Sequence, residues 1–359
     1  MNYYSFDEID KTGANWRIIF GERSNGKTYG SKIKMLDNWL KNEKQFAYIR
    51  RNVEEIKSKR IGVYWDDMLE NGYLERTCKK YYKEHKGFYI IPKNGAFYLH
   101  GVKKEEDEIL GKIGYYFALN QVRYDKTNPY PDVTMIVFDE FLCKTSEELP
   151  EEFSALLNFV STIKRKREDM VIYLLGNTVN RNSQIMESMG INLRTLKQGE
   201  IRVFDFYGEN AHNTVAVEYT KNFEQSEKSE SFFQFGNQKE RMITKGEWET
   251  GDYKTALPIG ITDKTVELPL VFKSSDVRLF CYVMNDDSAY VTEKRVKDIK
   301  QDYIVITTAE TMPSRTTFNV QDPRVADVIA YLRILRDIGK ITYDSNVTGY
   351  DFEVFLLKA

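Results

Sequence analysis

The sequence has few of the residues that build metal centres, disulfides or membrane spans. Three cysteines and three histidines are scattered along 359 residues without paired spacing, so neither a zinc site nor a disulfide framework is expected. No apolar run approaches the roughly 20 residues that a membrane helix needs. The first residues lack the basic start and apolar core of a signal peptide, so we expect a soluble, intracellular protein.

The chain also lacks an excess of either charge. It has 52 Lys and Arg against 54 Asp and Glu, a formal net charge of -2, so any nucleic-acid contact must come from local patches or from an oligomer that presents one face. A hydrophobic content of 42% excludes disorder over the whole length. A chain of this length predicts two or more domains.

A glycine-rich segment near the start carries the clearest motif. Gly21 and Gly26 are separated by four residues, and Lys27 and Thr28 follow, which is the pattern of a phosphate-binding loop. Glycines at both ends let backbone N–H groups come close to a phosphate chain. The sequence therefore predicts that the whole loop binds nucleotide phosphates: Gly21, Glu22, Arg23, Ser24, Asn25, Gly26, Lys27 and Thr28.

The flanking sequence has the context that such a loop requires. An apolar strand ends just before it, and a helix with one apolar stripe follows, at Tyr29, Ile33, Leu36 and Leu40. This helix would point its N-terminus at the anion. We expect Lys27 to reach the outer phosphates and Thr28 to place its hydroxyl on Mg²⁺, whereas in a bland loop both would simply sit in solvent.

A second motif is the apolar run Val133 to Phe138, which two carboxylates close. Such a run is typical of a strand buried on both faces of a parallel sheet, and open α/β sheets bind ligands at the carboxyl ends of their strands. We expect Asp139 to hold the magnesium ion and Glu140 to take or orient the proton of the attacking water. The alternative is a strand that ends in an acidic turn, which the upstream phosphate loop disfavours.

Two later segments supply further candidates. Helical periodicity from Pro150 to Ile163 ends in a basic cluster, 164–167. There Arg165 either interacts favourably with the C-terminal end of the helix macrodipole or reaches the ATP of a neighbouring subunit as an arginine finger. A buried strand ends at Asn177, which is either a sensor of the γ-phosphate or attacking water, or a plain turn residue.

The region between the two motifs is less regular. Gln45 to Arg51 predicts a second strand, whose closing arginines either face the ligand-binding end of the sheet or form a solvated edge, and the solvated edge is favoured for Arg51. From Val53 to about Asn128 the sequence is charged, aromatic and irregular, and the run 103–108 predicts a solvated loop. One hairpin interrupts this region, with strands at 88–91 and 96–100.

With these residues in hand, the chain closely resembles the DNA-packaging ATPases of small, short-tailed bacteriophages whose genomes carry a terminal protein. The resemblance is clearest over roughly residues 14 to 180. It rests on six segments, namely Gly21 to Thr28, Gln45 to Arg51, Lys126 to Pro131, Ile136 to Phe141, Ser154 to Asn158 and Arg165 to Glu168.

The resemblance implies a ring ATPase that docks on the portal of an empty capsid and uses ATP and Mg²⁺ to drive double-stranded DNA inward. It assigns the magnesium aspartate to Asp139, the catalytic glutamate to Glu140 and a trans-acting arginine finger to Arg165. Arg23 matches the family's loop arginine, and Lys126 falls on a basic position expected to act across the subunit interface.

The same resemblance sets expectations for assembly and location. It implies a homo-oligomeric ring, expected to be a pentamer, in the host cytoplasm and transiently at the portal vertex, absent from the mature virion and from membranes. Contact with a packaging RNA stays open.

Together these features predict an α/β fold. We expect a phosphate-loop NTPase core with a mostly parallel sheet of the additional-strand (ASCE) type over residues 1–205, and a small helical linker domain over 206–252. Residues 253–359 predict an α+β domain with strands, one amphipathic helix at 323–338 and a closing segment at 352–357. The resemblance implies that this domain is a vestigial relative of an RNase H-like nuclease.

An active nuclease in the last domain is not expected. A two-metal nuclease needs several carboxylates that converge from strands, whereas Asp286 and Asp287 lie in a predicted hairpin turn, 285–288. We therefore expect a module that binds nucleic acid or the portal. Four basic residues are candidates for phosphate contact or else lie on a solvated helix face: Lys294, Arg295, Lys297 and Lys300.

Two functions of other kinds stay open. One is a complete terminase large subunit that also cuts DNA with a metal-dependent nuclease. The other is a nucleotide-gated assembly protein with little hydrolysis, against which Glu140 argues, because a pure binder needs no placed base. A small-molecule kinase would also need an acceptor pocket and lid, which the sequence does not reveal.

Overall fold

The computed structural model describes residues 4–23, 25–124, 129–144, 147–165, 167, 169–178, 183–208, 212–221, 253–274, 277–308 and 316–358. The chain divides into two compact units. The first comprises Met1–Ser188 and Leu193–Trp248, and the second comprises Met189–Asn192 and Glu249–Ala359.

In the described part of the first unit, nine strands form one sheet in the order β3-β4-β5-β2-β6-β7-β1-β9-β8. The strands are Trp16–Gly21 (β1), Gln45–Arg50 (β2), Lys86–Lys93 (β3), Ala96–Lys103 (β4), Glu106–Ala118 (β5), Val133–Asp139 (β6), Val171–Asn177 (β7), Ile201–Tyr207 (β8) and His212–Tyr219 (β9).

The centre of this sheet is parallel and its edges are antiparallel. Strands β5, β2, β6, β7, β1 and β9 pair in parallel, whereas β3 with β4, β4 with β5, and β8 with β9 pair antiparallel. Strand β7 lies between β1 and β6, the strands that carry the two nucleotide motifs. The predicted α/β core with an additional strand is therefore confirmed, and both motifs end at the same edge of the sheet.

Seven α-helices belong to the described part of this unit, and the two long ones, α2 and α6, each bury an apolar stripe. The seven are Asp7–Asp10 (α1), Lys27–Asn42 (α2), Ser58–Ile61 (α3), Asp66–Glu70 (α4), Tyr73–Cys78 (α5), Glu152–Lys164 (α6) and Gln184–Ser188 (α7). The predicted stripe of α2 is largely confirmed, with Tyr29, Leu36 and Leu40 buried and Ile33 half-buried. In α6 the predicted stripe comprised Phe153, Leu156, Leu157, Val160 and Ile163. Leu156, Val160 and Ile163 are buried and Phe153 is half-buried, but Leu157 is exposed and Phe159 is buried in its place.

The insertion between the motifs is more regular than predicted. The hairpin of β3 and β4 is confirmed, but the predicted loop at 103–108 is wrong, because only Lys104 and Glu105 form a left-handed turn before β5 begins. Strand β5 escaped prediction because two glycines break its apolar pattern. A Cβ at Gly111 would lie 2.5 Å from the ring of Trp39, and one at Gly114 would lie 2.7 Å from that of Phe46.

The predicted boundary between residues 205 and 206 falls inside β8. Strand β9 lies beyond it and pairs with β1, so the sheet of the first unit continues at least to Tyr219. Most of the predicted linker, including 222–252, lies outside the described residues, and its assignment as a separate domain stays a prediction.

The second unit has a mixed six-stranded sheet in the order β14-β13-β10-β11-β12-β15 within its described residues. Its elements are Val266–Lys273 (β10), Arg278–Met284 (β11), Ala289–Thr292 (β12), Ile304–Thr307 (β13), Thr317–Asn319 (β14), Pro323–Asp337 (α8), Ile341–Tyr343 (β15) and Asn346–Lys358 (α9). The α+β prediction is confirmed, and the closing segment is part of α9. The four basic residues from 294 to 300 are exposed but lie in a non-helical segment, so the helix-face interpretation was wrong.

Candidate functional site

The phosphate loop joins the end of β1 to the start of α2. Gly26 has a φ of 86° at the N-cap of α2, a conformation that glycine adopts without strain. Glu22 and Asn25 are buried and Arg23 is exposed, while Ser24 lies outside the described residues. The helix therefore presents its N-terminus to the loop, as phosphate binding requires.

Lys27 is held inside this loop. Its Nζ donates to the backbone oxygen of Glu22 at 2.7 Å and to Asn25 Oδ1 at 3.0 Å. Burial lowers the pKa of Lys27 to about 8, against the opposing effect of Asp139 and Glu22. A phosphate oxygen beside the ammonium would favour its charged form, because an opposite charge compensates for lost solvation.

Thr28 and Asp139 face each other across the site. The Thr28 hydroxyl donates to the Asp139 carboxylate, with Oγ1 3.2 Å from Oδ2, and the Tyr48 hydroxyl donates to the same Oδ2 at 3.3 Å. Burial raises the pKa of Asp139, and Arg50 opposes that rise. A hydroxyl and one carboxylate suit Mg²⁺, which keeps several waters and shares substrate phosphates. The described residues include no cluster of three or more His, Cys, Asp or Glu that could hold a metal by themselves.

Glu140 follows Asp139 in a left-handed conformation, with a φ of 58°. Its side chain is 55% exposed, and its Oε2 accepts a bond from Arg50 Nη2 at 2.6 Å. The same guanidinium donates through Nε to Glu55 at 2.7 Å and approaches Asp139 Oδ2 at 3.7 Å. Arg50, at the end of β2, therefore forms ion pairs with three carboxylates, a role that the sequence prediction did not assign to it.

Arg51 is not a solvated edge residue, and that expectation was wrong. It is 5% exposed and forms a bidentate ion pair with the buried Glu152, at 2.7 and 2.8 Å. It also donates to the backbone oxygens of Glu140 at 3.0 Å and Phe141 at 2.6 Å. Arg51 thus ties the end of β2 to the segment after β6 and to the first turn of α6.

Asn177 lies at the same edge as the phosphate loop. In the parallel pairing of β1 and β7 it is the partner of Gly21, and the next backbone N–H, from Thr178, donates to the Gly21 oxygen at 3.1 Å. The register therefore places the end of β7 directly beside the first glycine of the loop. Its side chain is half-buried, and its role as a sensor or as a plain turn residue stays a prediction.

The basic cluster after α6 lies at the other end of the sheet. Arg165 is exposed and left-handed, with a φ of 49°, whereas Arg167 donates to the backbone oxygens of Tyr130, Pro131 and Ile163, next to the start of β6. Of the three described basic residues of the cluster, Arg167 is structural, Arg165 faces solvent and Lys164 is half-buried at the end of α6. Lys126 lies outside the described residues.

The two aspartates of the second unit sit in the predicted turn between β11 and β12. Asp286 accepts from Ser288 Oγ at 2.6 Å, and Asp287 accepts from the Tyr331 hydroxyl at 3.0 Å. Local turn chemistry accounts for the contact of Asp286, and the Tyr331 hydroxyl on α8 accounts for that of Asp287. No helix among the residues that the structure describes has the length and apolarity to cross a bilayer.

Comparison of this chain with known proteins identifies a family that it matches. The family described as Podovirus DNA encapsidation protein (Gp16) matches residues 2–186. The DNA packaging protein of Bacillus phage phi29 is 29% identical over 165 residues, which is 45% of this chain and 42% of that protein. The DNA packaging protein of Bacillus phage B103 is 31% identical over 166 residues, 45% and 44% of the two chains. The match spans less than half the length of these relatives.

Two solved structures share the fold over nearly the whole chain. One, described as the Phi-28 gp11 DNA packaging motor, has a TM-score of 0.51 at 20% identity and covers 99% of this chain and 98% of its own. The other, described as the bacteriophage Phi-29 viral genome packaging motor assembly, has a TM-score of 0.53 at 18% identity and covers 99% of each chain. At these identities the likeness shows the fold alone.

Proposed function

This chain belongs to the family of podovirus DNA encapsidation proteins, and from that premise we propose that it is an ATP-hydrolysing motor subunit that drives double-stranded viral DNA into a preformed capsid. The observation that carries the proposal is the meeting of the two nucleotide motifs. The Thr28 hydroxyl lies 3.2 Å from the Asp139 carboxylate at the carboxyl edge of a parallel sheet, where such folds bind their ligands.

Each residue of this edge has a defined task in the proposed reaction. The loop backbone and the start of α2 bind the phosphates, and the Lys27 ammonium neutralises charge on the outer ones. Thr28 and Asp139 hold Mg²⁺, which supplies further charge neutralisation when bound. Glu140 is exposed enough to meet a water and accepts its proton during attack on the γ-phosphate.

We propose that Arg165 acts on the neighbouring subunit. Helix α6 has 13 residues and starts beside Arg51, so its rise separates Arg165 from the hydrolysis edge of its own chain by roughly 20 Å. A side chain at that distance cannot reach its own nucleotide. A homo-oligomeric ring would bring it to the next site, where an arginine stabilises the transition state of phosphoryl transfer.

The proposed partners follow from the family and from the relatives described as DNA packaging proteins. They are double-stranded DNA and the portal of the empty capsid, in the host cytoplasm and transiently at the portal vertex. Arg23 is exposed at the loop and is proposed to contact nucleotide or a neighbouring subunit. Asn177 is proposed to sense the γ-phosphate or the attacking water.

Steady-state ATP hydrolysis tests the proposal. The purified protein is assayed alone, with double-stranded DNA, and with DNA plus empty capsids. We expect stimulation by DNA, further stimulation by capsids, and loss of both in Glu140→Gln, which should still bind ATP. Slow hydrolysis that is indifferent to both additions would favour a nucleotide-gated assembly protein instead.

A further inference from the structure

Thr220 is a buried threonine that lies directly on the phosphate loop, although it is far from the loop in sequence and beyond the family match. It follows β9 and is 1% exposed. Its N–H donates to the Phe20 oxygen at 2.9 Å, and a Cβ placed on Gly21 would lie only 1.9 Å from Thr220 Oγ1. The absence of a side chain at Gly21 therefore makes room for this hydroxyl.

The hydroxyl has a specific partner in the loop. Asn25 is 6% exposed, and its Nδ2 donates to Thr220 Oγ1 at 2.9 Å. Its Oδ1 accepts from Lys27 Nζ at 3.0 Å and from the Lys27 N–H at 3.3 Å. The Asn25 backbone oxygen accepts from the Tyr4 N–H at 3.1 Å, so both the main chain and the side chain of this residue are held.

The two ends of an amide group are chemically different, and this difference gives Thr220 a role. With the Asn25 nitrogen committed to the Thr220 hydroxyl, the Asn25 oxygen must face Lys27. An ammonium has three N–H donors, and two of those of Lys27 go to Glu22 and Asn25. The third remains for a phosphate oxygen, and its direction is set by the other two.

We propose that Thr220 is a positioning residue for Lys27 and acts through the side chain of Asn25. The inference rests on the proposed function, because it requires Lys27 to contact nucleotide phosphates. It makes the chain that leaves β9 part of the nucleotide site, so a residue within the predicted linker, 206–252, is bonded to the phosphate loop.

Two substitutions separate the hydroxyl from the packing of Thr220. Thr220→Val keeps the shape and removes the acceptor of the Asn25 amide, whereas Thr220→Ser keeps the hydroxyl. We expect Thr220→Val to weaken equilibrium binding of a fluorescent, non-hydrolysable ATP analogue with Mg²⁺ about fivefold to tenfold, and Thr220→Ser to remain within about twofold of the unmodified protein. Similar losses in both variants, or no loss in Thr220→Val, would overturn the proposal.

A double-mutant cycle tests the route through Asn25. Asn25→Ala should weaken binding by itself, and Thr220→Val should then have little further effect, because the interaction it removes is already gone. Additive losses would show that Thr220 acts only on packing and would overturn the proposal. Melting temperatures of all variants are measured in parallel, so that unfolding is not mistaken for weak binding.

A matched control comes from the second unit. Thr292 is 4% exposed, and its hydroxyl donates to Asp344 at 2.6 Å, so Thr292→Val removes a buried, bonded hydroxyl from the other unit. It should leave analogue binding unchanged, and a loss as large as that of Thr220→Val would overturn the proposal. If the unmodified protein itself does not bind the analogue, the proposed function fails and this inference falls with it.

Discussion

Arg50 determines the charge balance at the hydrolysis edge. Among the described residues of this edge it contacts three carboxylates together, Glu55 and Glu140 at 2.6 Å and Asp139 at 3.7 Å. Its burial acts to lower its pKa, but Tyr48 and these carboxylates raise the pKa overall, so the side chain stays charged. Arg50 opposes the rise that burial causes in the pKa of Asp139, so without that charge the protonated form of Asp139 would be favoured.

We therefore expect Arg50→Ala to lower the turnover number of ATP hydrolysis roughly tenfold or more, because a protonated Asp139 binds Mg²⁺ poorly and a displaced Glu140 is a poor base. The measurement is hydrolysis as a function of Mg²⁺ concentration, in which the half-saturating concentration should also rise. Glu55→Gln is the control, since it keeps the shape of a residue that contacts Arg50 and the Asn52 N–H but neither Asp139 nor Glu140.

The opposite result would be informative. Hydrolysis by Arg50→Ala that exceeds that of the unmodified protein in the absence of DNA would show that the ion pair restrains Glu140 instead of supporting it.

Individual site residues differ in how well they could be predicted from the sequence. The residue types and spacing of Lys27, Thr28 and Asp139 were enough to predict that they share one site, because each motif is local and ends at a strand or starts a helix. Arg51 was misjudged because its partner, Glu152, is 101 residues away and is not part of any local pattern. Thr220 was missed for the same reason.

At the scale of elements, the Arg51–Glu152 pair connects β2 and α6. The two side chains are 5% and 2% exposed, so each depends on the other for its charge to be tolerated. Helix α6 starts at this pair and carries Arg165 at its other end. The pair therefore sets where the helix begins relative to Glu140, whose backbone oxygen Arg51 also contacts.

Breaking this pair should be more damaging than replacing it. Arg51→Met should lower the free energy of unfolding of the first unit by about 3–5 kcal/mol, because it leaves Glu152 buried and unpaired. The double variant Arg51→Met with Glu152→Met should lower this free energy by less than either single change does. Tryptophan fluorescence in urea measures the first unit, since all four tryptophans fall within its sequence. A double variant less stable than Arg51→Met would contradict the argument.

Elements were predictable where an apolar pattern is continuous and unpredictable where packing interrupts it. Strands β1, β6 and β7 are short and mostly apolar, and all three were predicted. Strand β5 was not, because Gly111 and Gly114 leave room for Trp39 and Phe46 from elsewhere in the fold. A strand-forming glycine of this kind can be recognised only once its neighbours are known.

At the scale of the whole molecule, the sheet separates two parts of one proposed reaction. The nucleotide edge holds Lys27, Asp139 and Glu140, and Arg165 lies beyond the far end of α6, next to the start of β6 through Arg167. A single chain therefore does not bring the proposed base and the proposed finger together. Two copies in a head-to-tail ring would do so at every interface.

A mixing experiment tests this division. Glu140→Gln and Arg165→Ala should each lose nearly all hydrolysis, the second because an arginine finger is worth about 10³-fold or more in rate. In an equimolar mixture, interfaces that pair an intact Glu140 with an intact Arg165 form again, and about a quarter of the wild-type rate should return if subunits assemble at random into a ring.

The control is Lys164→Ala, which removes a neighbouring basic side chain and should keep its activity. Arg167→Ala is not suitable, because the bonds of Arg167 to backbone oxygens are structural. If both variants enter the same rings and the mixture stays inactive, Arg165 acts on its own subunit or on none. If single-turnover hydrolysis survives in Arg165→Ala, Arg165 is not an arginine finger.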